Sequence, residues 1–272
     1  VIDYGPNTAY YVKAQYMHGW SRFKQRQYRA SIASFTATLD ELIPRNNGIE
    51  TLARGERELV DDCLRVLAVV FSYLEGVDTI AAAYEQIGAR PYQHLLYEAL
   101  GEHYLKQERY RDSAETYKGF TTQYPDSKFA HQLQLRVVES YEAGGFPDLI
   151  VEEKKRYVEL FGVTASYWRF SNPAAKNAIL PKLKTFTREL ASYHHALAQD
   201  LSKKPKRGKN AKRAQEHYAQ AGDYYQLFVD SFPTDDEVPD MGFLLAESRL
   251  ESGAYRDAIT AFEWVAYEYS TY

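Results

Sequence analysis

Gly19-Trp20-Ser21-Arg22-Phe23-Lys24-Gln25-Arg26-Gln27-Tyr28-Arg29-Ala30-Ser31-Ile32-Ala33-Ser34-Phe35 and Gly101-Glu102-His103-Tyr104-Leu105-Lys106-Gln107-Glu108-Arg109-Tyr110-Arg111-Asp112-Ser113-Ala114-Glu115-Thr116-Tyr117 carry one pattern twice. The Gly, the Lys-Gln, the Tyr-Arg, the Ser and the closing aromatic coincide. A third copy runs Ala246-Glu247-Ser248-Arg249-Leu250-Glu251-Ser252-Gly253-Ala254-Tyr255-Arg256-Asp257-Ala258-Ile259-Thr260-Ala261-Phe262, with Ala246 in place of the first Gly. Self-similarity of this kind is the sequence mark of a repeat architecture.

Each copy reads as a helical hairpin. Apolar residues at three-and-four spacing predict a first helix, a break falls at 25–27, 107–109 or 252–254, and a second amphipathic helix follows. Small residues (Gly19, Gly101 and Ala246; Ser31, Ser113 and Ala258) let the two backbones approach. Tyr28, Tyr110 and Tyr255, then Phe35, Tyr117 and Phe262, fill the seam. Pro44, Pro125 and Pro233 stand where a second helix should stop, because proline lacks the amide needed to continue it.

The rest of the chain is a looser version of the same plan. A helix over 56–74 is followed by Gly76 and a shorter partner, and 127–161 breaks at Gly144-Gly145-Phe146-Pro147. Long helices are expected over 181–201 and 211–232. Residues 163–180 read as a linker that leaves Tyr167, Trp168 and Phe170 without a seam, and Trp168 is expected to be mostly buried. The boundaries implied are 1–162, a linker at 163–180, and 181–272.

In Leu100-Gly101, Tyr104, Tyr110, Ser113, Tyr117 and Pro125 the spacing resembles the tetratricopeptide repeat, whose period is about 34 residues. That resemblance implies an all-α fold, an α-solenoid of about six antiparallel helix pairs in a right-handed superhelix. A further repeat beyond Tyr272 is expected on the same grounds. The junction Tyr124-Pro125-Asp126-Ser127-Lys128-Phe129-Ala130 is similar to junctions in bacterial envelope tetratricopeptide proteins of the outer-membrane assembly lipoprotein and Tol-associated kinds. It implies a periplasmic setting.

Composition bounds the function. With 45% hydrophobic residues the chain has enough apolar surface for a large core, and no apolar run approaches the roughly 20 residues a membrane helix needs. A formal charge of -4 gives no global field for nucleic acid. Cys63 is the only cysteine and sits in an apolar run, so it reads as a core side chain with no disulfide or thiolate site. No phosphate loop, Gly-x-Ser-x-Gly elbow or His-Glu-x-x-His motif is present. His194, His195 and His217 form an incomplete metal set, because adjacent residues diverge around a helix and no Cys or carboxylate completes it. The acid pairs Asp61-Asp62, Glu152-Glu153 and Asp235-Asp236-Glu237 read as solvated surface rather than as a glycosidase pair. No cofactor and no metal are expected, and no enzymatic activity.

What remains is binding. In the family resembled, the outward face of each first helix lines a groove. Here that face carries Lys13, Tyr16, Trp20, Phe23 and Lys24, then Glu98, Glu102 and Lys106, then Phe243, Glu247 and Glu251. Aromatic rings flanked by charges suit a peptide or helix with an apolar stripe. A neighbouring repeat covering Tyr16 and Trp20 is the competing account. The basic run Lys203, Lys204, Lys206, Arg207 and Lys209 is a second candidate, for an anionic protein or lipid surface. The expectation is a non-enzymatic protein-binding scaffold. The alternative is the helical arm of a larger enzyme, as in lytic transglycosylases, or of a regulator.

Overall fold

The computed structural model describes residues 10–45, 49–169, 173–204 and 209–269, together with residues 2, 5 and 8. Among these the chain is all-α, with twelve α-helices and no strand. In order they are α1 (Tyr11–Lys24), α2 (Tyr28–Arg45), α3 (Arg54–Tyr73), α4 (Val77–Ile87), α5 (Gln93–Leu105) and α6 (Tyr110–Gln123). They continue as α7 (Ala130–Gly144), α8 (Pro147–Phe161), α9 (Pro173–Lys203), α10 (Lys209–Ser231), α11 (Val238–Ser252) and α12 (Tyr255–Glu268). Two compact units result, one of Val1–Pro125 and Gln132–Phe146, the other of Asp126–His131 and Pro147–Tyr272. Inside each, helices pack chiefly on their neighbours along the chain, the arrangement of a helical repeat.

The predicted breaks are all present and share one geometry. Arg26, Glu108 and Gly253 adopt positive φ of 61°, 58° and 90° at the same place in the three copies. Around each, the next amide reaches five residues back: Gln27 to Arg22 at 2.9 Å, Arg109 to Tyr104 at 2.9 Å, Ala254 to Arg249 at 2.9 Å. The left-handed residue thus caps the last carbonyls of the first helix and reverses the chain. Gly145 does the same between α7 and α8, with Phe146 donating to Tyr141.

The seams of the first two copies pack as the repeat pattern requires, whereas Tyr255, expected to fill the seam of the third, is 65% exposed. A Cβ on Gly101 would lie 2.3 Å from Cζ of Tyr117, and one on Gly19 would lie 2.9 Å from Cε1 of Phe35. Both aromatic rings are fully buried. Cys63 is likewise buried, and burial pushes its thiol pKa up, which makes it a core side chain and not a nucleophile.

The structure departs from expectation at the linker. Residues 163–180 hold a short 3-10 turn at Ser166–Arg169 and then the start of α9, which begins at Pro173 and carries Pro181 inside it. Pro181 forfeits one backbone bond. The flanking Ala175, Lys176, Ala178 and Leu180 favour helix, and Ile179 is fully buried, so the helix persists. Tyr167 is buried in the second unit, its ring 4.9 Å from that of Phe161 and its hydroxyl 3.2 Å from Nδ1 of His131. Trp168 is more buried than exposed, as expected, and its indole N–H donates to the Gly162 carbonyl at 2.7 Å. Phe170 lies outside the described residues.

No single described helix is long and apolar enough to cross a membrane. Helices α3 and α4 together pass that test, but they bend by 113° at their junction. Their apolar residues, Val60, Leu67, Phe71 and Ile80 among them, are buried in the first unit, which accounts for the composition without a bilayer.

Candidate binding cleft

The predicted groove residues fall into three sets that the fold treats differently. Tyr16, Trp20 and Phe23 do come together, all three half-buried, and Asp62 of α3 binds the first two. The Tyr16 hydroxyl donates to Asp62 at 2.7 Å and the Trp20 indole N–H at 3.2 Å, while the Arg65 guanidinium grips the other carboxylate oxygen at 2.6 Å. Burial alone would push the Asp62 pKa up, yet these donors together hold it below the usual carboxylate range. Lys13 and Lys24 are exposed, the latter with its ammonium 5.6 Å from the Trp20 ring.

On α5 and at its C-terminal cap, Glu102 and Lys106 are exposed and Glu98 is half-buried. Burial, and then the neighbouring Glu102 carboxylate, raise the Glu98 pKa against the opposing charge of Arg136. On α11, Phe243 is 48% exposed with its ring 5.7 Å from that of Phe262, Glu247 is half-buried and Glu251 exposed. The first two sets belong to one unit and the third to the other. Of the basic run, Lys203, Lys204 and Lys209 are exposed, while Lys206 and Arg207 lie outside the described residues.

One other expectation needs correction. The acid pairs are not simply solvated. Asp62 is the pin just described, Glu153 is buried, and Lys184 holds Asp235 at 2.6 Å and Glu237 at 3.0 Å, with Arg188 on Glu237 as well. His194 and His217 do meet, Nδ1 to Nδ1 at 3.1 Å with rings stacked, while His195 turns away to Tyr225 and Ser248. Among the described residues no group of three His, Cys, Asp or Glu side chains is placed to hold a metal. Burial, then the charge of Lys155, then His217 push the His194 pKa down to about 4.

A concavity with an apolar floor was not foreseen. It is a cleft of about 650 Å³ in the second unit, between α10 and α12 across α11. Gln226, Val229, Asp230 and Pro233 line it from α10 and just beyond; Asp257, Thr260, Ala261 and Trp264 line it from α12; Leu245 and Arg249 rise from α11. On α12 these four stand at i, i+3, i+4 and i+7, so they form one helix face. Leu245 and Arg249 face the cleft. Phe243 and Glu247, each two residues from Leu245, are turned to the opposite side of α11. The cleft therefore lies along second helices, away from the face predicted to bind.

Its floor is apolar, since Val229, Leu245 and Ala261 are all nearly or fully buried beneath the opening. Trp264 is the wall. A Cβ on Gly242 would lie 2.5 Å from Cζ3 of Trp264, so the indole rests edge-on against a backbone with no side chain. Asp230 and Asp257 are exposed at the rim, and Arg249 is matched by Asp223 at 2.9 Å. A trace of this was visible in sequence: Trp264 occupies the place that Gly119 and Ala37 hold in the other copies. A large ring where its counterparts are small is a departure from repeat packing.

Set against models of known protein families and against curated protein sequences, the chain matches none.

Proposed function

We propose that this chain is a non-enzymatic scaffold of the tetratricopeptide kind, which holds a segment of another protein in the cleft between α10 and α12. One observation carries the reading. An apolar floor of Val229, Leu245 and Ala261, walled by the half-buried indole of Trp264, stays open between α10 and α12. Concave, apolar sites with a few polar groups at the edge are where binding energy concentrates. The repeat spacing of 101–125 supports the family, and the junction at 124–130 supports a place in a bacterial envelope.

The test places a photo-crosslinking residue at Thr260, on the exposed lip of the cleft, and compares it with the same residue at Lys13 on α1. Capture of a protein from an envelope fraction through 260, competed by unlabelled parent but not by a Thr260→Arg variant, is the expected result. Capture through Lys13 with none through 260 would return the binding surface to the first helices. Cell fractionation of the native protein checks the compartment separately.

A further inference from the structure

We infer that the segment taken by the α10–α12 cleft carries an apolar side chain beside a lysine or arginine. This rests on the reading of the cleft as a protein-binding site and concerns the chemistry of its occupant.

The floor selects first. Val229, Leu245 and Ala261 offer no hydrogen-bonding group, so a polar side chain pressed onto them would lose its water without compensation. An aliphatic or aromatic group loses nothing, and it gains the face of Trp264. The rim then selects for charge. Asp257 has no ionic partner among the described residues, and Asp230 receives only the Gln226 side-chain amide at 2.9 Å. The single cation in the cleft, Arg249, is already neutralised by Asp223. Asp257 stands in the first turn of α12, whose positive end answers part of its charge, so Asp230 is the carboxylate most in need of a cation from whatever enters.

Helix polarity strengthens the bias. Asp230 is the next-to-last residue of α10, which has no basic residue in its last turn. A carboxylate there adds to the negative end of the helix dipole instead of opposing it. The position is unfavourable for the isolated fold and favourable for a visiting ammonium or guanidinium, which would meet Asp230 and the terminal carbonyls together. An anionic segment would be repelled by the same arrangement. Size limits the contact: the lining on α12 spans 257–264, about 10 Å of helix, the length of roughly three residues of extended chain.

The experiment is selection from a displayed random heptapeptide library on the full chain, counter-selected on Thr260→Arg, followed by fluorescence polarisation of the winners. The expected winners carry a large apolar residue with Lys or Arg within two positions. Their affinity should fall about three- to tenfold in Asp230→Asn/Asp257→Asn, and the difference should shrink as salt is raised. Both substitutions are at exposed positions, and an unchanged thermal midpoint shows that the loss is not unfolding. Winners that are neutral or acidic yet sensitive to Thr260→Arg would overturn the charge rule and leave the cleft standing. Basic-apolar winners indifferent to the double Asn variant would overturn it too. Selection that yields no peptide sensitive to Thr260→Arg would bring down both this inference and the reading of the cleft.

Discussion

The hairpins α5–α6 and α11–α12 align residue for residue, yet one is sealed against the preceding second helix and the other stands open. Gly101 and Ala246, Tyr110 and Tyr255, Ser113 and Ala258, Tyr117 and Phe262 occupy equivalent places, and the turns at Glu108 and Gly253 are the same. The difference is one seam pair with its sizes exchanged. In α5–α6 the large ring, Tyr97, is on the first helix and fully buried, its hydroxyl donating to Gln123 at 2.9 Å. The small member, Gly119, leaves the second helix bare, and a Cβ there would lie 2.5 Å from Cγ2 of Val77 on α4. In α11–α12 the small member is Gly242 on the first helix, and the large one is Trp264 on the second. Where Gly119 admits α4, Trp264 presents an indole, and the space beside α10 becomes the cleft. Which helix bears the large residue decides whether the space beside the hairpin closes or stands open.

The largest effect should come from breaking what the two hairpins share. Gly101→Trp would drive an indole into Tyr117, whose ring leaves no room even for a Cβ, and should cost about 3 kcal/mol or more by overpacking. Thermal or urea unfolding measures it, and an unchanged midpoint would show that this seam is not the packing unit. Gly119→Trp goes further into the comparison, because it gives α6 the side chain of α12. The clash with Val77 should cost about 1–3 kcal/mol, and Val77→Ala in the same chain should recover part of it. Strict additivity of the two changes would mean that α4 and α6 do not meet at this point.

Much of this was legible in the sequence because it is local. The breaks at 25–27, 107–109 and 252–254 depend on a few residues around one left-handed position, and the small-to-large seams repeat with the pattern. The start of α9 was not legible, since a proline ends a helix by local rules and only the burial of Ile179 outweighs that rule here. Asp62 gave no sign of its role either, because its donors Tyr16 and Trp20 come from a helix far away along the chain. The cleft needed the same kind of knowledge, the spacing between helices that are not consecutive, although the exchange of Gly119 for Trp264 marked where to look.

The two units should also part company in acid. His194 sits in the second unit, enclosed by Lys155 from α8, by His217 and Tyr224 from α10 and by Tyr193 of its own helix. Its Nε2 is buried without a partner. With a folded pKa of about 4 against an ordinary 6.5, the ring stays neutral in the fold while the unfolded chain takes up a proton. The stabilisation is thus complete above about pH 6.5 and drains away as pH falls towards 4, by about 2–3 kcal/mol. Amide exchange followed between pH 7 and 4 should show α9 and α10 losing protection before α5 and α6 do. In His194→Gln that pH dependence should flatten, and a parent-like profile in the variant would place the acid sensitivity elsewhere.

The smallest expected effect concerns the turn that the two hairpins have in common. Glu108 holds φ at 58°, a conformation in which the Cβ crowds the following carbonyl, whereas its counterpart Gly253 holds φ at 90° with no Cβ to crowd. Glu108→Gly should therefore stabilise the first unit, but the gain is less than the strain relieved, because glycine also loosens the unfolded chain. The balance is about 0.5–1 kcal/mol of added stability, read as a small rise in unfolding midpoint. The reverse change, Gly253→Glu, should lower the midpoint by a similar amount with no effect on the cleft, since Gly253 does not line it. Were both substitutions neutral, the shared turn would be held by its cap bonds alone, from Arg109 to Tyr104 and from Ala254 to Arg249, and the residue at the left-handed position would be incidental.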